Sequence, residues 1–364
     1  MYNISMDSKI IKKLLTYAKQ HEILDLTITK KDGFHVLNGE VGLIKHQLKL
    51  PAKLETELSE AYRHLLQLAP NDLVSGVYFK DKDSSFKISI VPSPEGEKII
   101  INTVAKTKKV LTLTHLGLGR DERKTIENFL KRRRGLIVIG ADDNQGKTTT
   151  LYSLLQKIDK INRIGYLLEK NSELEIDEIN KIISTGDQRI TDLHRVLKSD
   201  SDFIAIDDAS DDLLNESLIA ASTGRLLMVS VKTDTAAALV DQIRKIRQSE
   251  DLPILIIFQR LLIKNCPHCL KAYLVNESEE LITKYWPSNK KYKPKHFFTS
   301  TGCKKCNHIG TNGQIASFNL IEFNKKEINV LSTLASDVLQ KAANGLISVS
   351  KFISEHKSES VKKL

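Results

Sequence analysis

The spacing of apolar residues in the first third of the chain predicts a small domain built from helices and strands. Apolar positions recur at helical intervals over residues 8–20 and again over residues 54–68, which predicts two amphipathic helices. Short apolar or alternating segments predict strands at residues 24–29, 35–37, 41–44, 77–79, 86–91 and 98–104. The Asn-Gly pair at residues 38–39 predicts a turn between two of them. We therefore predict an α+β domain over residues 1–118.

Beyond residue 118 the pattern changes to apolar runs that alternate with helical periodicity. Residues 121–134 predict a helix, and apolar runs predict buried strands at residues 136–139, 164–168, 203–206 and 225–231. Strands that alternate with helices in this way are typical of a parallel sheet with helices on its faces. We predict a second, α/β domain over residues 119–364.

A candidate phosphate-binding loop lies between the first of these strands and the next helix. The sequence fits an A-x-x-x-x-G-K-T pattern from Ala141 to Thr148. In such a loop the backbone N–H groups and the helix N-terminus face a phosphate, the lysine supplies a cation, and the threonine hydroxyl reaches Mg²⁺. The residues predicted to hold the nucleotide phosphates are Asn144, Gln145, Gly146, Lys147, Thr148 and Thr149. A helix start that binds no nucleotide is the alternative.

Two acidic residues inside this loop, Asp142 and Asp143, bear on nucleotide affinity. A carboxylate about 4 Å from a phosphate costs about 1–4 kcal/mol, depending on the local dielectric. If the carboxylates point inward, nucleotide binding is weakened, and if they point outward, little is lost. Asn144 stands where such loops usually carry glycine, and asparagine tolerates a positive φ better than most residues. The sequence alone leaves the orientation of the two carboxylates open.

Acidic residues also follow two of the predicted strands. Glu169 comes directly after the strand at 164–168, and Asp207 and Asp208 come after the strand at 203–206. A carboxylate in such a position can hold Mg²⁺ or its water near the β and γ phosphates of a nucleotide. Acidic strand ends also occur by chance, but together with the loop they indicate a Mg²⁺-nucleotide site.

All four cysteines fall into two C-x-x-C pairs in the last third of the chain. A reducing cytosol disfavours disulfides, and four thiolates suit tetrahedral Zn²⁺. The predicted ligands are Cys266, Cys269, Cys303 and Cys306. His268 lies within the first pair and is not needed, because four sulfurs fill the site. A redox pair and unliganded cysteines are the alternatives.

Composition and charge narrow the class of protein. The chain is 41% apolar and 27% charged, which is ordinary for a globular protein. It has no apolar run long enough to span a membrane and no apolar core of a signal peptide, so we expect it in the cytosol. The net charge of +10 suits nucleotide phosphates, an anionic membrane or nucleic acid. The basic run at residues 131–134 fits a solvated helix end, and without an aromatic platform nucleic-acid binding is not predicted.

Several short motifs follow one another along most of the chain. They are S-P-E-G-E at residues 93–97, the phosphate loop, L-H-R-V-L-K-S-D-S-D-F-I-A-I-D-D at 193–208, A-S-T-G-R-L at 221–226, Q-R-L-L-I-K-N-C-P-H-C at 259–269 and G-C-K-K-C-N-H-I-G-T-N-G at 302–313. In this order, from about residue 23 to residue 349, they resemble the ATPases that power type II secretion and type IV pilus assembly. The cysteine pairs resemble the assembly and secretion branch rather than the retraction motors, which lack them.

This resemblance implies a fold and a function for a divergent, N-terminally short member. The fold is a RecA-like P-loop NTPase domain of α/β type, preceded by a small α+β (PAS-like) domain and carrying a tetracysteine zinc lobe at residues 259–323. The function is a hexameric motor that binds ATP, Mg²⁺ and Zn²⁺ and lies in the cytoplasm, peripheral to the inner membrane. It works on an inner-membrane platform protein and couples ATP hydrolysis to pilin or pseudopilin assembly. Glu169 would orient the attacking water, and Asp208 would hold the water on the metal side.

Several positions depart from the family pattern in ways that bear on hydrolysis. These are Lys170, Asp207, Asp208, Ser210, Arg225, Lys232 and Gln314, with Lys87 and Asn102 in the first domain. Asp208 stands for a glutamate, and about 1 Å of misplacement can cost about a hundredfold in rate. Arg225 and Lys232 stand for two histidines. The alternative function is therefore a catalytically degenerate pseudo-ATPase, a structural or regulatory subunit in a hetero-oligomer with an active paralogue.

Overall fold

The computed structural model describes residue 16 and residues 25–31, 34–41, 44–50, 74–81, 84–93, 96–104, 110–170, 174, 176–186, 188–247, 249–274, 284–286, 293–325 and 327–349. The chain divides into two compact units, Met1–Thr107 and Lys108–Leu364. Apart from Thr16, the helices predicted at residues 8–20 and 54–68 lie outside the described residues. The PAS-like interpretation depends on them and stays a prediction.

In the first unit, the described residues form one antiparallel sheet of six strands. The strands are β1 (Asp25–Lys31), β2 (Phe34–Val41), β3 (Ile44–Leu50), β4 (Val74–Asp81), β5 (Ser84–Ser93) and β6 (Gly96–Val104). Their order across the sheet is β3-β2-β1-β6-β5-β4. Leu26 and Ile28 of β1 pair with Ile101 and Ile99 of β6, and all four side chains are buried. Alternate residues of the two central strands therefore form one apolar face.

Two details of β2 correct the prediction from sequence. Asn38 and Gly39, predicted as a turn, lie inside the strand and pair with Thr27 and Leu26 of β1. Residues 41–44, predicted as a strand, span the end of β2 and the start of β3. Strand pairing on both sides of β2 outweighs the local turn preference of the Asn-Gly pair.

In the second unit, the described strands form an eight-stranded sheet and a separate two-stranded sheet. The strands are β7 (Gly135–Ala141), β8 (Gly165–Glu169), β9 (Asn180–Ile183), β10 (Phe203–Ala209), β11 (Leu226–Lys232), β12 (Ile254–Asn265), β13 (Leu270–Leu274), β14 (His296–Ser300), β15 (Thr311–Asn324) and β16 (Glu327–Ser332). The large sheet has the order β16-β15-β12-β7-β11-β10-β8-β9. The strands from β12 to β9 are parallel, as the alternating pattern predicts, whereas β15 and β16 are antiparallel.

Helices cover both faces of the large sheet. Those described are α1 (Arg120–Leu130), α2 (Lys147–Lys157), α3 (Gln188–Leu197), α4 (Asp211–Ser222), α5 (Ala236–Ile246) and α6 (Leu334–Ala343). Along β7, Leu136 and Val138 pack in the core that contains α4 and α5, while Ile137 and Ile139 pack in the core that contains α1 and α2. Successive strand residues point to opposite faces, which explains why the strand sequences are continuously apolar. None of the helices in the described ranges is both long enough and apolar enough to cross a bilayer.

The start of the second unit differs from the prediction in two respects. Leu113, Leu116 and Leu118 are buried in the same core as α1, so the unit begins before the predicted boundary after residue 118. Helix α1 ends at Leu130 rather than at residue 134. The basic run at residues 131–134 offers no apolar side chain that further helical turns could bury.

The cysteines lie on the segment between β12 and β15. These two strands pair from Ile254 opposite Phe323 to Asn265 opposite Thr311, so both ends of the predicted zinc lobe belong to the large sheet. Strands β13 and β14 pair as a small antiparallel sheet within the segment. Phe297 of β14 packs in a separate core with side chains of α6. The cysteine pairs are thereby fixed next to β12 and β15.

Candidate functional site

The candidate phosphate loop joins the C-terminal end of β7 to the N-terminus of α2. Asn144 and Gly146 have φ angles of 57° and 82°, both in the left-handed region. Glycine adopts this region without strain, and asparagine tolerates it better than most residues. Gly146 is the N-cap of α2 and has no side chain with which to cap the helix. The first N–H groups of α2 therefore face the loop, as an anion site requires.

The Lys147 side chain is folded into this loop and is only 8% exposed. Its Nζ donates to the carbonyl oxygens of Ala141 at 3.2 Å and of Asp142 at 2.9 Å. Thr148 and Thr149 follow in the first turn of α2 and are half-buried. The ammonium group thus already lies where a phosphate held by the loop would need a cation.

Gln259 and Gln145 attach the loop to β12. The Gln259 amide donates to the carbonyl oxygen of Gln145 at 2.6 Å and accepts from the Thr150 hydroxyl at 2.7 Å. The Gln145 side chain accepts from the backbone N–H of Leu261 at 2.7 Å. Gln145 therefore uses its side chain to position the loop. The role of Gln259 was not predicted from the sequence; its only signal is a polar residue directly after the apolar run at residues 254–258 of β12.

The two loop aspartates are turned toward solvent and toward Lys232, at the end of β11. Lys232 Nζ lies 2.5 Å from Asp143 Oδ2 and 3.9 Å from Asp142 Oδ1, and both aspartates are 62% exposed. Asp142 also accepts the backbone N–H of Asp143 at 2.7 Å. The hydrogen bond with Asp143 raises the pKa of Lys232. Both carboxylates are therefore mostly exposed and lie beside Lys232, but Asp143 Oδ1 is also 3.9 Å from Lys147 Nζ.

Asp207 makes the direct contact between β10 and the phosphate loop. The Thr148 hydroxyl donates to Asp207 Oδ2 at 2.9 Å, and the Ser230 hydroxyl donates to Asp207 Oδ1 at 2.6 Å. A hydroxyl and a carboxylate at this distance are the oxygen donors that Mg²⁺ prefers. From the sequence, Asp207 is one of two acidic residues after an apolar run, and the predicted metal-side role falls on its neighbour Asp208. The orientation of Asp207 depends on an irregularity in β10 between Ile206 and Ala209, which the sequence does not reveal.

Asp208 is held by two cations next to Asp207. Its φ angle is 50°, and its carboxylate lies 2.5 Å from Lys170 Nζ. The buried Arg189 guanidinium donates to the carbonyl oxygens of Asp207 and Asp208. Burial acts to raise the pKa of Asp208, but the hydrogen bond and charge of Lys170 lower it. Lys147 and Arg189 add to this lowering, so Asp208 is an ionised carboxylate within electrostatic reach of the loop.

Glu169, at the end of β8, is completely buried, with 0% of its surface exposed. Its Oε2 accepts from the Tyr152 hydroxyl at 2.5 Å, and its Oε1 lies 3.5 Å from Lys181 Nζ. Burial raises the pKa of Glu169, and the Tyr152 hydrogen bond and the Lys181 charge offset this only in part. Burial likewise raises the pKa of Tyr152. Both carboxylate oxygens of this predicted catalytic residue therefore face other side chains.

Other positions that depart from the family pattern lie in different parts of the fold. Arg225 precedes β11 and hydrogen-bonds Ser201 at 3.2 Å, at the edge of the sheet opposite the phosphate loop. Of the two positions that replace histidines, only Lys232 lies at the loop edge. In the first unit, Lys87 of β5 pairs with Asn102 of β6, and their side chains lie outside the described residues.

The four cysteine sulfurs form one cluster. All lie within 4.8 Å of one another, and the pairs Cys266–Cys303, Cys269–Cys306 and Cys303–Cys306 are 4.0, 3.9 and 3.8 Å apart. Tetrahedral Zn²⁺ with Zn–S bonds of about 2.3 Å requires sulfurs about 3.8 Å apart. The backbone N–H groups of Cys303 and Gly310 each lie 3.2 Å from Cys306 Sγ. Burial acts to raise the pKa of Cys306, but these N–H groups together with the Cys303 and Cys266 side chains lower it to about 6, toward the thiolate that binds metal. Burial raises the pKa of Cys266 to about 11.

Comparison with known proteins gives related sequences. The family model described as "Type II/IV secretion system protein" matches residues 56–359. The Type II secretion system ATPase E of Vibrio cholerae is 29% identical over 246 residues, which cover 65% of this chain and 48% of that protein. The Type IV pilus assembly ATPase PilB of Myxococcus xanthus is 26% identical over 271 residues, which cover 72% and 48%. The chain thus spans about half the length of these curated relatives.

Two solved structures share the fold. The Legionella pneumophila ATPase DotB superposes with a TM-score of 0.59 at 14% identity, over 97% of this chain and 100% of that one. The pilus retraction motor PilT with bound ADP superposes with a TM-score of 0.55 at 15% identity, over 96% and 97%. At these identities the likeness concerns the fold alone.

Proposed function

This chain belongs to the family of type II/IV secretion system proteins, and on that basis we propose that it is an ATP-binding motor subunit of a type II secretion or type IV pilus or competence assembly system. In this proposal, ATP hydrolysis drives the assembly of pilins or pseudopilins. The observation that carries the proposal is the contact of 2.9 Å between Thr148 at the start of α2 and Asp207 on β10, with Lys147 folded into the loop between them.

The phosphate tail of the nucleotide lies along residues 142–148 in this proposal. Backbone N–H groups of the loop and of the first turn of α2 donate to phosphate oxygens. Lys147 exchanges its hydrogen bonds to the Ala141 and Asp142 carbonyls for bonds to phosphate. Mg²⁺ would neutralise the charge of the β and γ phosphates. The Thr148 hydroxyl and the Asp207 carboxylate are the groups that would hold the metal, because they already lie within hydrogen-bonding distance of each other.

Glu169 and Asp208 are the proposed catalytic residues. Asp208 would hold the water on the metal side, next to Asp207, and Glu169 would orient the attacking water. Each carboxylate has a partner within the chain, Lys170 for Asp208 and Tyr152 for Glu169. Turnover therefore requires Glu169 to exchange its hydrogen bond with Tyr152 for one with water.

One observation favours a second candidate function, that of a catalytically degenerate pseudo-ATPase. Glu169 has no exposed surface, and burial raises its pKa. A carboxylate buried in this way cannot contact water at the phosphates unless the side chain moves. Such a subunit would bind ATP without hydrolysing it and would serve a structural or regulatory role beside an active paralogue.

The cysteine cluster is proposed to bind structural Zn²⁺. Four thiolates fill a tetrahedral shell and leave no position open for a substrate. The S···S distances of 3.8 to 4.0 Å support this assignment over an unliganded cluster. Zinc would then fix the segment between β12 and β15, which packs on α6.

The partners are proposed from family membership. The subunit would act as a homo-hexamer, or as a hetero-oligomer with an active paralogue, on an inner-membrane platform protein. It would lie in the cytoplasm at the inner membrane. Nucleic acid is not among the proposed partners.

Two measurements on the purified chain test the proposal. The first is a titration with a fluorescent ATP analogue and Mg²⁺, in which Lys147→Ala should abolish binding. The second is phosphate release. Phosphate release by the wild type that is absent from Lys147→Ala supports the motor. Nucleotide binding by the wild type, with no more phosphate release than Lys147→Ala shows, supports the degenerate subunit. Equal, negligible binding by both proteins would overturn both functions.

A further inference from the structure

The phosphate loop carries a carboxylate between two lysines. Asp143 Oδ1 lies 3.9 Å from Lys147 Nζ, and Asp143 Oδ2 lies 2.5 Å from Lys232 Nζ. Lys232 comes from β11, the neighbour of β7 in the sheet, and pairs in register with Ala141. The strand order therefore fixes the second lysine beside the loop, although it lies far from the loop in the sequence.

A phosphate that binds Lys147 would come close to the Asp143 carboxylate. The two negative charges would then repel each other, and at about 4 Å this repulsion is appreciable even in water. In the described part of the chain, the ion pairs of Asp143 are those with Lys147 and Lys232. Once a phosphate takes the charge of Lys147, Lys232 is the cation that stays with Asp143.

We propose that Lys232 and Asp143 form a charge-compensating pair that sets the affinity of the loop for nucleoside triphosphates. This inference rests on the proposed function. Lys232 is a positioning residue: it holds the Asp143 carboxylate outward and cancels its charge. A loop with two aspartates can then still accept a polyphosphate.

The test is a double-mutant cycle on the full chain, measured by titration with a fluorescent ATP analogue and Mg²⁺ at low ionic strength. Lys232→Met should weaken binding about fivefold, as expected for one unit charge about 4 Å away in water. Asp143→Asn should bind at least as tightly as the wild type. In the Asp143→Asn background, Lys232→Met should change the affinity less than about twofold, because no carboxylate is left for Lys232 to hold away from the phosphate. High salt should reduce the fivefold loss by screening.

Lys157→Met is the matched control for loss of a positive charge. Lys157 is 54% exposed and pairs with Glu127 at 3.1 Å, while Lys232 is 57% exposed. Lys157 ends α2, so its removal should leave nucleotide affinity unchanged.

Two results would overturn the charge-compensating pair alone. One is that Lys232→Met weakens nucleotide binding equally in the wild-type and Asp143→Asn backgrounds. The other is that Lys157→Met weakens nucleotide binding as much as Lys232→Met does. In both cases the wild type would still bind and Lys147→Ala would not, so the proposed function would stand. If the wild type binds no better than Lys147→Ala, the function and this inference are overturned together.

Discussion

The cysteine cluster and the phosphate-loop edge of the large sheet differ in how their reactive groups are paired. The four sulfurs lie together within 4.8 Å, with spacings that fit one metal ion. At the loop edge each acid has a partner from the chain itself: Asp143 has Lys232, Asp208 has Lys170, and Glu169 has Tyr152. A structural metal site needs only its ligands, whereas a catalytic site needs groups that are free to act. Substitutions around the loop can therefore alter catalysis while the fold and the cysteine cluster stay complete.

Loss of a cysteine should have the largest effect. Cys303→Ser removes one of four ligands, and a metal that binds only the folded chain stabilises it by about 4 kcal/mol at a thousandfold excess over Kd. We expect a lower Tm and loss of bound zinc, measured by thermal unfolding and by a chelator dye. His268→Ala, in the same segment but not in the cluster, should change neither. Full zinc content in Cys303→Ser would contradict a four-sulfur site.

Asp207 should matter more for metal-dependent binding than its neighbour Asp208. Asp207→Asn removes the charge that lies beside Thr148, and loss of a group that supports a metal typically costs about 10- to 100-fold in metal affinity. We therefore expect nucleotide binding by Asp207→Asn to require a Mg²⁺ concentration that is higher by about this factor. Asp208→Asn should shift it less, because Lys170 already pairs with Asp208. The reverse order of the two variants would show that Asp208 holds the metal.

The hydrogen bond from Tyr152 to Glu169 should contribute measurably to stability. Tyr152→Phe leaves a buried carboxylate oxygen without its donor, which costs about 1–2 kcal/mol. Urea unfolding measures this change in the free energy of unfolding. Tyr166→Phe, which removes a hydroxyl from a half-buried tyrosine of β8, the strand that ends at Glu169, should cost less. Equal stability of Tyr152→Phe and wild type would mean that the bond does not hold Glu169 in place.

The smallest expected effect is on the pH dependence of stability. Burial raises the pKa of Glu169 above its ordinary value of 4.5, so the folded chain keeps a proton that the unfolded chain releases. Stability from this group is therefore lost as the pH rises from 4.5, by at most about 1.4 kcal/mol per pH unit.

Glu169→Gln does not titrate and provides the reference for this pH dependence. The free energy of unfolding of the wild type, relative to this variant, should fall as the pH increases from 4.5. Urea unfolding at several pH values measures the difference. A difference that is constant, or that grows in favour of the wild type, would contradict the raised pKa.

The sequence predicts those parts of the site that depend on local spacing. Gly146, Lys147 and Thr148 follow one another between a strand and a helix, so their position in a loop can be deduced from a short segment. The same holds for each C-x-x-C pair. That both pairs lie in one cluster depends on β12 and β15 pairing side by side, which the spacing alone does not establish.

Contacts set by strand order could not be predicted in this way. Lys232 reaches Asp143 because β11 lies beside β7, and Asp207 reaches Thr148 across the end of β11. The antiparallel pairing of β15 with β12 could not be predicted for a related reason, because the inserted cysteine segment separates the two strands in the sequence. These contacts join residues that are distant in the chain, and only the assembled sheet brings them together.

A crystal structure of the chain with a non-hydrolysable ATP analogue and Mg²⁺ would test the central claim most directly. We predict that Lys147 Nζ leaves the carbonyls of Ala141 and Asp142 and binds phosphate, with the metal beside Thr148 and Asp207. Lys147 still bound to those carbonyls, with the analogue absent or elsewhere on the molecule, would contradict the account.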